Sequence, residues 1–94
     1  MRFRWDQRKS RGNKRKHGIS FDTAVPVFDD PDQVSIQDRI EGGEERWQTM
    51  GLVNGITVLI VAHTIGEEDG DEVIRIISAR KATPQERQKY HEGI

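Results

Sequence analysis

The sequence predicts a single α+β domain with an antiparallel sheet of three to four strands, two N-terminal helices and one C-terminal helix. Its 94 residues suffice for one hydrophobic core but not for two. Asn54-Gly55 joins two apolar runs, which is the strongest hairpin signal in the chain. Thr83, Pro84 and Glu86 have the residue types and spacing of a capping box that begins a helix. We expect the helices to lie on one face of the sheet.

The N-terminal third predicts a short strand followed by the two helices. Arg2 to Trp5 alternates arginine with aromatic residues, as a strand does. Asp6 fits a helix N-cap, so the first helix is expected to run to Lys16 and to stop at Gly18. A second helix with an apolar stripe follows, and Pro26 is expected to bend or shorten it.

The middle of the chain predicts the sheet, because short apolar or alternating runs are separated by turn residues. The acidic stretch from Gly66 to Asp71 is interpreted as a flexible loop. The predicted strands are Val34–Asp38, Glu45–Leu52, Ile56–Thr64 and Val73–Ala79.

Composition excludes several classes of protein. The chain has no cysteine, which removes disulfides, thiolate nucleophiles and zinc-thiolate sites. The three histidines lack the spacing of a metal site, so we predict neither a metal nor a cofactor. The longest apolar run, Ile56–Ala62, is too short to span a membrane, and no secretory signal begins the chain. A cytoplasmic protein with no membrane contact is therefore expected.

Charge is unevenly distributed along a chain whose formal net charge is only -1. Residues 1–17 carry eight basic residues and one acidic residue, residues 18–74 carry two and thirteen, and residues 75–94 carry five and two. Two basic ends around an acidic middle are typical of a protein with one face on nucleic acid. Solvated helix surfaces explain the same pattern, and both interpretations remain open.

The last predicted strand contains the most informative cations. Metal-independent RNA cleavage needs a base, an acid and cations around the phosphate. Strand alternation places Arg75 on one face and Arg80 on the other, with Lys81 and Tyr90 close to the strand's end. Arg75 can bind a phosphate, or it can pair with a carboxylate of the acidic middle such as Glu45.

Histidine and tryptophan residues each allow a chemical and a structural interpretation. His17, next to two cations at a helix end, can act as a base or can cap the helix. His63 lies in an apolar strand and is expected to be a hydrogen-bonded packing residue. Trp5 and Trp47 can stack on bases, although large aromatic residues usually pack in a core this small.

Several motifs, in order and with matching spacing along nearly the whole chain, resemble the signature of the BrnT toxin family. The combination of the Lys-His-Gly element with Ile-Ser-Ala-Arg is the most specific part of this resemblance. The matching stretches are Phe3–Lys9, Asn13–Phe21, Val27–Pro31, Glu45–Trp47 with Gly51, and Arg75–Ala82 with Glu86 and Tyr90.

This resemblance implies a RelE-like fold and an endoribonuclease toxin that cleaves RNA without a metal and stops translation. It further implies a BrnA-type ribbon-helix-helix antitoxin, a heterotetramer or larger complex, and contact with promoter DNA only through that antitoxin. Trp5, Asp6, Asn13 and the other motif residues carry over by position. The interpreted catalytic residues are Lys9, His17, Arg75 and Arg80. The interpreted RNA-binding residues are Trp5, Lys16, Lys81 and Tyr90.

One departure from the family pattern, together with the acidic middle of the chain, favours a second hypothesis. Relatives commonly have an arginine shortly after the threonine that ends the long strand, whereas Gly66 follows Thr64-Ile65 here. Pro26 in the second helix is a milder departure. The alternative is a catalytically weakened or inactive module that binds its antitoxin and takes part in regulating its own operon.

Overall fold

The chain folds around one five-stranded sheet in the computed structural model, which describes residues 1–93. The strands have the spatial order β1-β5-β4-β3-β2. In chain order the elements are β1 (Arg2–Arg4), α1 (Gln7–His17), α2 (Phe21–Ala24), a 3₁₀ helix (Val25–Asp29), β2 (Val34–Glu41), β3 (Glu44–Val53), β4 (Thr57–Glu68), β5 (Asp71–Lys81) and α3 (Pro84–Glu92).

The α+β class is confirmed, but the predicted strand count and loop were wrong. β1 is a fifth strand and pairs parallel with β5, while the other neighbours in the sheet are antiparallel. The predicted loop from Gly66 to Asp71 is mostly strand, because β4 and β5 pair as far as Glu68 and Asp71 and only Asp69-Gly70 turns. The acidic side chains project from this hairpin, so their charge does not prevent pairing of the backbone.

The helices lie on both faces of the sheet, and not on one face as the sequence predicted. α2 and the 3₁₀ helix cover a first core that contains Phe21, Leu59 and Val61, and α1 packs beside them along β5. On the opposite face, Tyr90 of α3 packs in a second, smaller core that contains Ile60. The second predicted helix is only one α-helical turn, and a 3₁₀ helix takes over at Val25, next to Pro26. Among the described residues, no helix is long and apolar enough to cross a membrane.

A bulge in β5 changes which side chains share a face. Ala62 and His63 pair with Ser78 and Ile76, which leaves Ile77 as an extra residue. Beyond the bulge the alternation is reversed, so that Ile74, Ile76 and Ala79 all face the first core. Arg75 and Arg80, predicted to lie on opposite faces, therefore lie on the same face.

His63 is a buried packing residue, as the sequence indicated. Its side chain is 1% exposed and packs edge-on against Phe28, with ring centroids 5.0 Å apart. The hydroxyl of Thr49 and Nε2 of His63 share a hydrogen bond of 2.7 Å. Burial lowers the pKa of His63 below its usual 6.5.

We expect the free energy of unfolding to fall on mild acidification because of His63. The unfolded chain binds a proton on this histidine near pH 6.5, whereas the folded chain binds it only at lower pH. The contribution is therefore complete above about pH 6.5 and is lost below it, at no more than about 1.4 kcal/mol per pH unit. Urea unfolding between about pH 7 and 5 measures this slope. His63→Gln should flatten it, and an unchanged slope would contradict the assignment.

Candidate active site

A cationic pocket of about 270 Å³ opens where α1 begins beside β5. Three basic residues from different elements contribute to it: Lys9 from α1, Arg46 from β3 and Arg75 from β5. Asp6 is its one acidic lining residue, and the bulge at Ile76-Ile77 completes the lining. A pocket with this charge and size suits a phosphate group with its flanking sugars.

Asp6 sets the position of Lys9 in this pocket. It is the N-cap of α1, and its Oδ1 accepts hydrogen bonds from the backbone N–H groups of Arg8 at 2.8 Å and Lys9 at 3.4 Å. Its other carboxylate oxygen, Oδ2, accepts no hydrogen bond from another of residues 1–93. The carboxylate therefore has a structural oxygen and an oxygen that is free for chemistry.

Asn13 fastens α1 to the edge of β5. Its amide donates to the carbonyl oxygens of Ile19 at 2.8 Å and Ala79 at 2.7 Å, and its Oδ1 accepts from the N–H of Ala79 at 3.2 Å. Ala79 lies beyond the end of β1, so no strand within residues 1–93 pairs with it on that side. The Asn13 side chain instead makes the two hydrogen bonds that a neighbouring strand would make with the backbone of Ala79. This contact fixes α1 along β5 and gives the motif asparagine a structural role.

Asn13→Ala should lower the free energy of unfolding by about 3 kcal/mol, because it leaves buried backbone groups without partners. Chemical denaturation measures the loss. Arg11→Ala, an exposed position on the same helix, is the matched control and should change stability by less than about 0.5 kcal/mol. Equal stability of the two variants would show that Asn13 does not fasten the helix.

Arg46 and Arg75 belong to a row of arginines across the sheet. In register, Arg4 lies beside Arg75, and Arg39 lies beside Arg46. Thr64 of β4 lies between Arg75 and Arg46. It pairs with Arg75 on one side, and on the other side the pairing of Trp47 with His63 places Arg46 next to Thr64. Residues opposite one another share a face, so the row lies on the face that α3 covers only in part.

Ion pairs distinguish the arginines in this row. Arg75 forms an ion pair of 2.7 Å with Glu44. The sequence suggested Glu45, the next residue, as its partner. Both side chains of this pair are about half exposed, so the pair contributes little and a phosphate can replace Glu44. Arg46 differs, since its Nε is buried and has no hydrogen-bond partner among the described residues. A buried N–H without an acceptor is costly, and the Arg46 side chain lines the pocket together with Lys9 and Arg75.

Only Lys9 and Arg75, of the residues interpreted as catalytic, come together in the pocket. Arg80 is held by a bidentate ion pair with Glu86 of α3, at 2.8 and 3.0 Å. This contact lowers the pKa of Glu86 to about 2. His17 lies eight residues after Lys9 on α1, or about 12 Å along the helix axis. His17 therefore lies at the opposite end of α1 from Lys9, and it does not line the pocket.

The residues interpreted as RNA-binding are dispersed. Trp5 packs edge-on against Phe21, with ring centroids 6.5 Å apart. Lys16 and Lys81 lie near the other end of α1, away from the pocket. Tyr90 is 6% exposed, and its hydroxyl donates to Asp30. Burial, with this hydrogen bond, raises the pKa of Tyr90 to about 12, and its contacts are those of a structural residue.

Sequence reasoning gave no chemical role to Arg46 and only a capping role to Asp6. Arg46 stands in the Glu-Arg-Trp motif, but no signal in the sequence shows that β3 brings it near α1. Within residues 1–93, no group of three or more His, Asp or Glu side chains could hold a metal ion. The pocket offers cations and one carboxylate, the groups that phosphoryl transfer can use directly.

The fold and the pocket define a small α+β domain with a cationic pocket beside its first helix. The profile of a family described as "Ribonuclease toxin, BrnT, of type II toxin-antitoxin system" matches residues 5–86. The chain belongs to this family of BrnT ribonuclease toxins.

Comparison with solved structures agrees with this assignment. The chain is similar to the ribonuclease toxin BrnT of Brucella abortus, whose crystal structure has a resolution of 1.1 Å. The TM-score is 0.62 with 25% identity, over 88% of this chain and 97% of the other. A search of curated proteins gave no significant match.

Proposed function

We propose that this protein is a metal-independent endoribonuclease whose active site is the pocket between Asp6, Lys9, Arg46 and Arg75. The observation that carries the proposal is the meeting of three basic side chains and one carboxylate in a single pocket. Cleavage of cellular RNA would stop translation, which makes the protein toxic when it is alone.

The proposed reaction is transesterification by the RNA's own 2′-hydroxyl. Asp6 takes the proton from the 2′-oxygen, which attacks the adjacent phosphorus and forms a new P–O bond. The bond from phosphorus to the 5′-oxygen breaks, and the ammonium group of Lys9 gives that oxygen a proton. The products are a 2′,3′-cyclic phosphate and a free 5′-hydroxyl. Arg46 and Arg75 stabilise the negative charge of the pentavalent phosphate.

This assignment retains Lys9 and Arg75 from the interpreted catalytic residues and replaces His17 and Arg80. His17 lies too far along α1, and Arg80 is already paired with Glu86. The proton-accepting role moves to Asp6 because it is the one carboxylate that lines the pocket.

The second candidate function is that of a catalytically weakened module that binds its antitoxin, and Gly66 is the observation that favours it. Gly66 lies on the same face as Thr64, two residues along β4, and lines a neighbouring pocket with Arg4 and Arg75. Nothing lies within 4 Å of where its Cβ would be, so the space for a longer side chain is open. Loss of a cation there would slow cleavage but would leave the binding of an antitoxin intact.

Induction of the protein alone should arrest bacterial growth and degrade RNA, and the purified protein should cleave RNA in excess EDTA. The expected independence from metal follows from a mechanism that needs only Asp6, Lys9 and the two arginines. Gel analysis of a defined RNA with and without EDTA checks it. Activity lost in EDTA and restored by a divalent ion would disprove the mechanism. Normal growth with intact RNA after induction of folded protein would favour the weakened module.

The proposed partner is a BrnA-type antitoxin with a ribbon-helix-helix domain. Such domains form dimers that read DNA with a shared two-stranded sheet. Two antitoxins therefore bring two toxins together in a heterotetramer, and promoter DNA is contacted only by the antitoxin.

A further inference from the structure

An apolar groove lies at the opposite end of α1 from the active-site pocket. It consists of two adjoining pockets, of about 270 and 240 Å³, which share Ile56, Thr57 and Lys81. Ile19, Val53 and Leu59 form its apolar floor. Gly18, the C-cap of α1, lines the groove and lies nine positions after Lys9, or about 14 Å along the helix axis. We call this surface the Ile56 groove.

The rim of the Ile56 groove combines an exposed apolar side chain with cations. Ile56 is 83% exposed, the highest value for a large apolar residue in the part of the chain that the structure describes. Lys81 and Arg87 line the groove, and neither forms an ion pair with another of residues 1–93. The last turn of α1 adds three more cations next to Gly18, those of Lys14, Arg15 and Lys16. None of the lining residues is acidic.

We propose that the Ile56 groove binds an acidic segment of the antitoxin that carries an apolar anchor residue. The anchor covers Ile56 and enters the groove, while flanking carboxylates pair with Lys81 and Arg87. This chemistry matches both halves of the surface, because apolar burial provides affinity and the cations provide attraction and register. The identity of the partner rests on the proposed function, whereas the location of the surface rests on the groove itself.

RNA suits this groove less well than an acidic peptide. Sequence-tolerant RNA binding stacks successive bases mainly on aromatic rings, and no aromatic residue lines the groove, where Arg87 offers the one guanidinium plane. A phosphate backbone over these cations would leave Ile56 exposed to water beside it. The groove also lies away from the proposed reacting phosphate, so the antitoxin can anchor here and extend over the active site.

The test compares matched pairs of variants in two assays. Ile56→Glu changes the groove, and Ile65→Glu changes another exposed isoleucine outside it, which is 45% exposed. Arg87→Ala and Lys89→Ala form a second pair on α3. A purified BrnA-type ribbon-helix-helix antitoxin, the partner that the proposed function names, is the probe, and calorimetry measures its affinity for each variant. RNA cleavage without the probe is measured separately, and circular dichroism checks each fold.

Ile56→Glu is expected to weaken binding of the probe about 30-fold, and Arg87→Ala about tenfold, with RNA cleavage unchanged. Ile65→Glu and Lys89→Ala should bind like the parent protein. Equal affinity of both members of each pair, or no binding by the parent protein, would overturn the inference. Groove variants that bind the probe normally but cleave RNA poorly would also overturn it and assign the groove to RNA. Groove-dependent binding in a parent protein that cleaves no RNA would support the inference while disproving the proposed function.

Discussion

Asp6→Asn is expected to reduce RNA cleavage by about 10²- to 10⁴-fold while leaving the fold intact. Asparagine is as good an N-cap as aspartate, and its side-chain oxygen can accept the same two backbone N–H groups. The variant therefore keeps the helix start and removes only the carboxylate that takes the 2′-hydroxyl proton. Single-turnover cleavage of a short RNA measures the effect.

The matched variant is Asp6→Ala, which removes both the cap and the base. Its stability should fall by about 1 kcal/mol, whereas that of Asp6→Asn should stay near the parent value. Similar loss of cleavage in both variants, with stability lost only in Asp6→Ala, identifies the carboxylate as the base. Full cleavage by Asp6→Asn would show that Asp6 only caps the helix, and the base would have to be sought elsewhere.

Arg46→Ala should slow cleavage by about 10²- to 10³-fold, as removal of one positioned donor to a developing oxyanion does. The buried Nε of Arg46 has no partner among residues 1–93, so the free protein loses no hydrogen bond. The loss should appear mainly in kcat if the contact strengthens in the transition state. Steady-state kinetics on a defined RNA separate kcat from KM.

Arg39→Ala provides the control because Arg39 lies beside Arg46 in register on the same face. Its side chain is 66% exposed, pairs with Glu41 and does not line the pocket. We expect this variant to cleave RNA at the parent rate. Similar slowing by both changes would mean that the row of arginines acts through its overall charge. Arg46 would then have no specific role in the pocket.

Local signals in the sequence predicted the elements that short-range chemistry decides. Asp6 and Gly18 marked the two ends of α1, and Thr83 with Glu86 formed the capping box of α3. Asn54 and Gly55 both have positive φ in the predicted hairpin turn. Each signal depends on hydrogen bonds and dihedral angles within a few residues, so it is readable before the chain folds.

The candidate site was predicted only in part, because its residues come from segments far apart in the chain. Lys9 and Arg75 were named from family motifs, but their meeting with Arg46 depends on how β3, β4 and β5 pair. Arg80 was expected to act in catalysis and Tyr90 to bind RNA. Their partners Glu86 and Asp30 became visible only once α3 was in place on the sheet.

The sequence by itself determined the α+β class, the family, the ends of the first and last helices and the central hairpin. The tertiary structure decided the parallel pairing of β1 with β5, the position of α3 and which side chains of the last strand share a face. A three-residue strand carries too little pattern to reveal a partner some seventy residues away. The bulge at Ile77 reverses an alternation that looks regular in the sequence, since registers are set by pairing between strands and not by the residues of one strand.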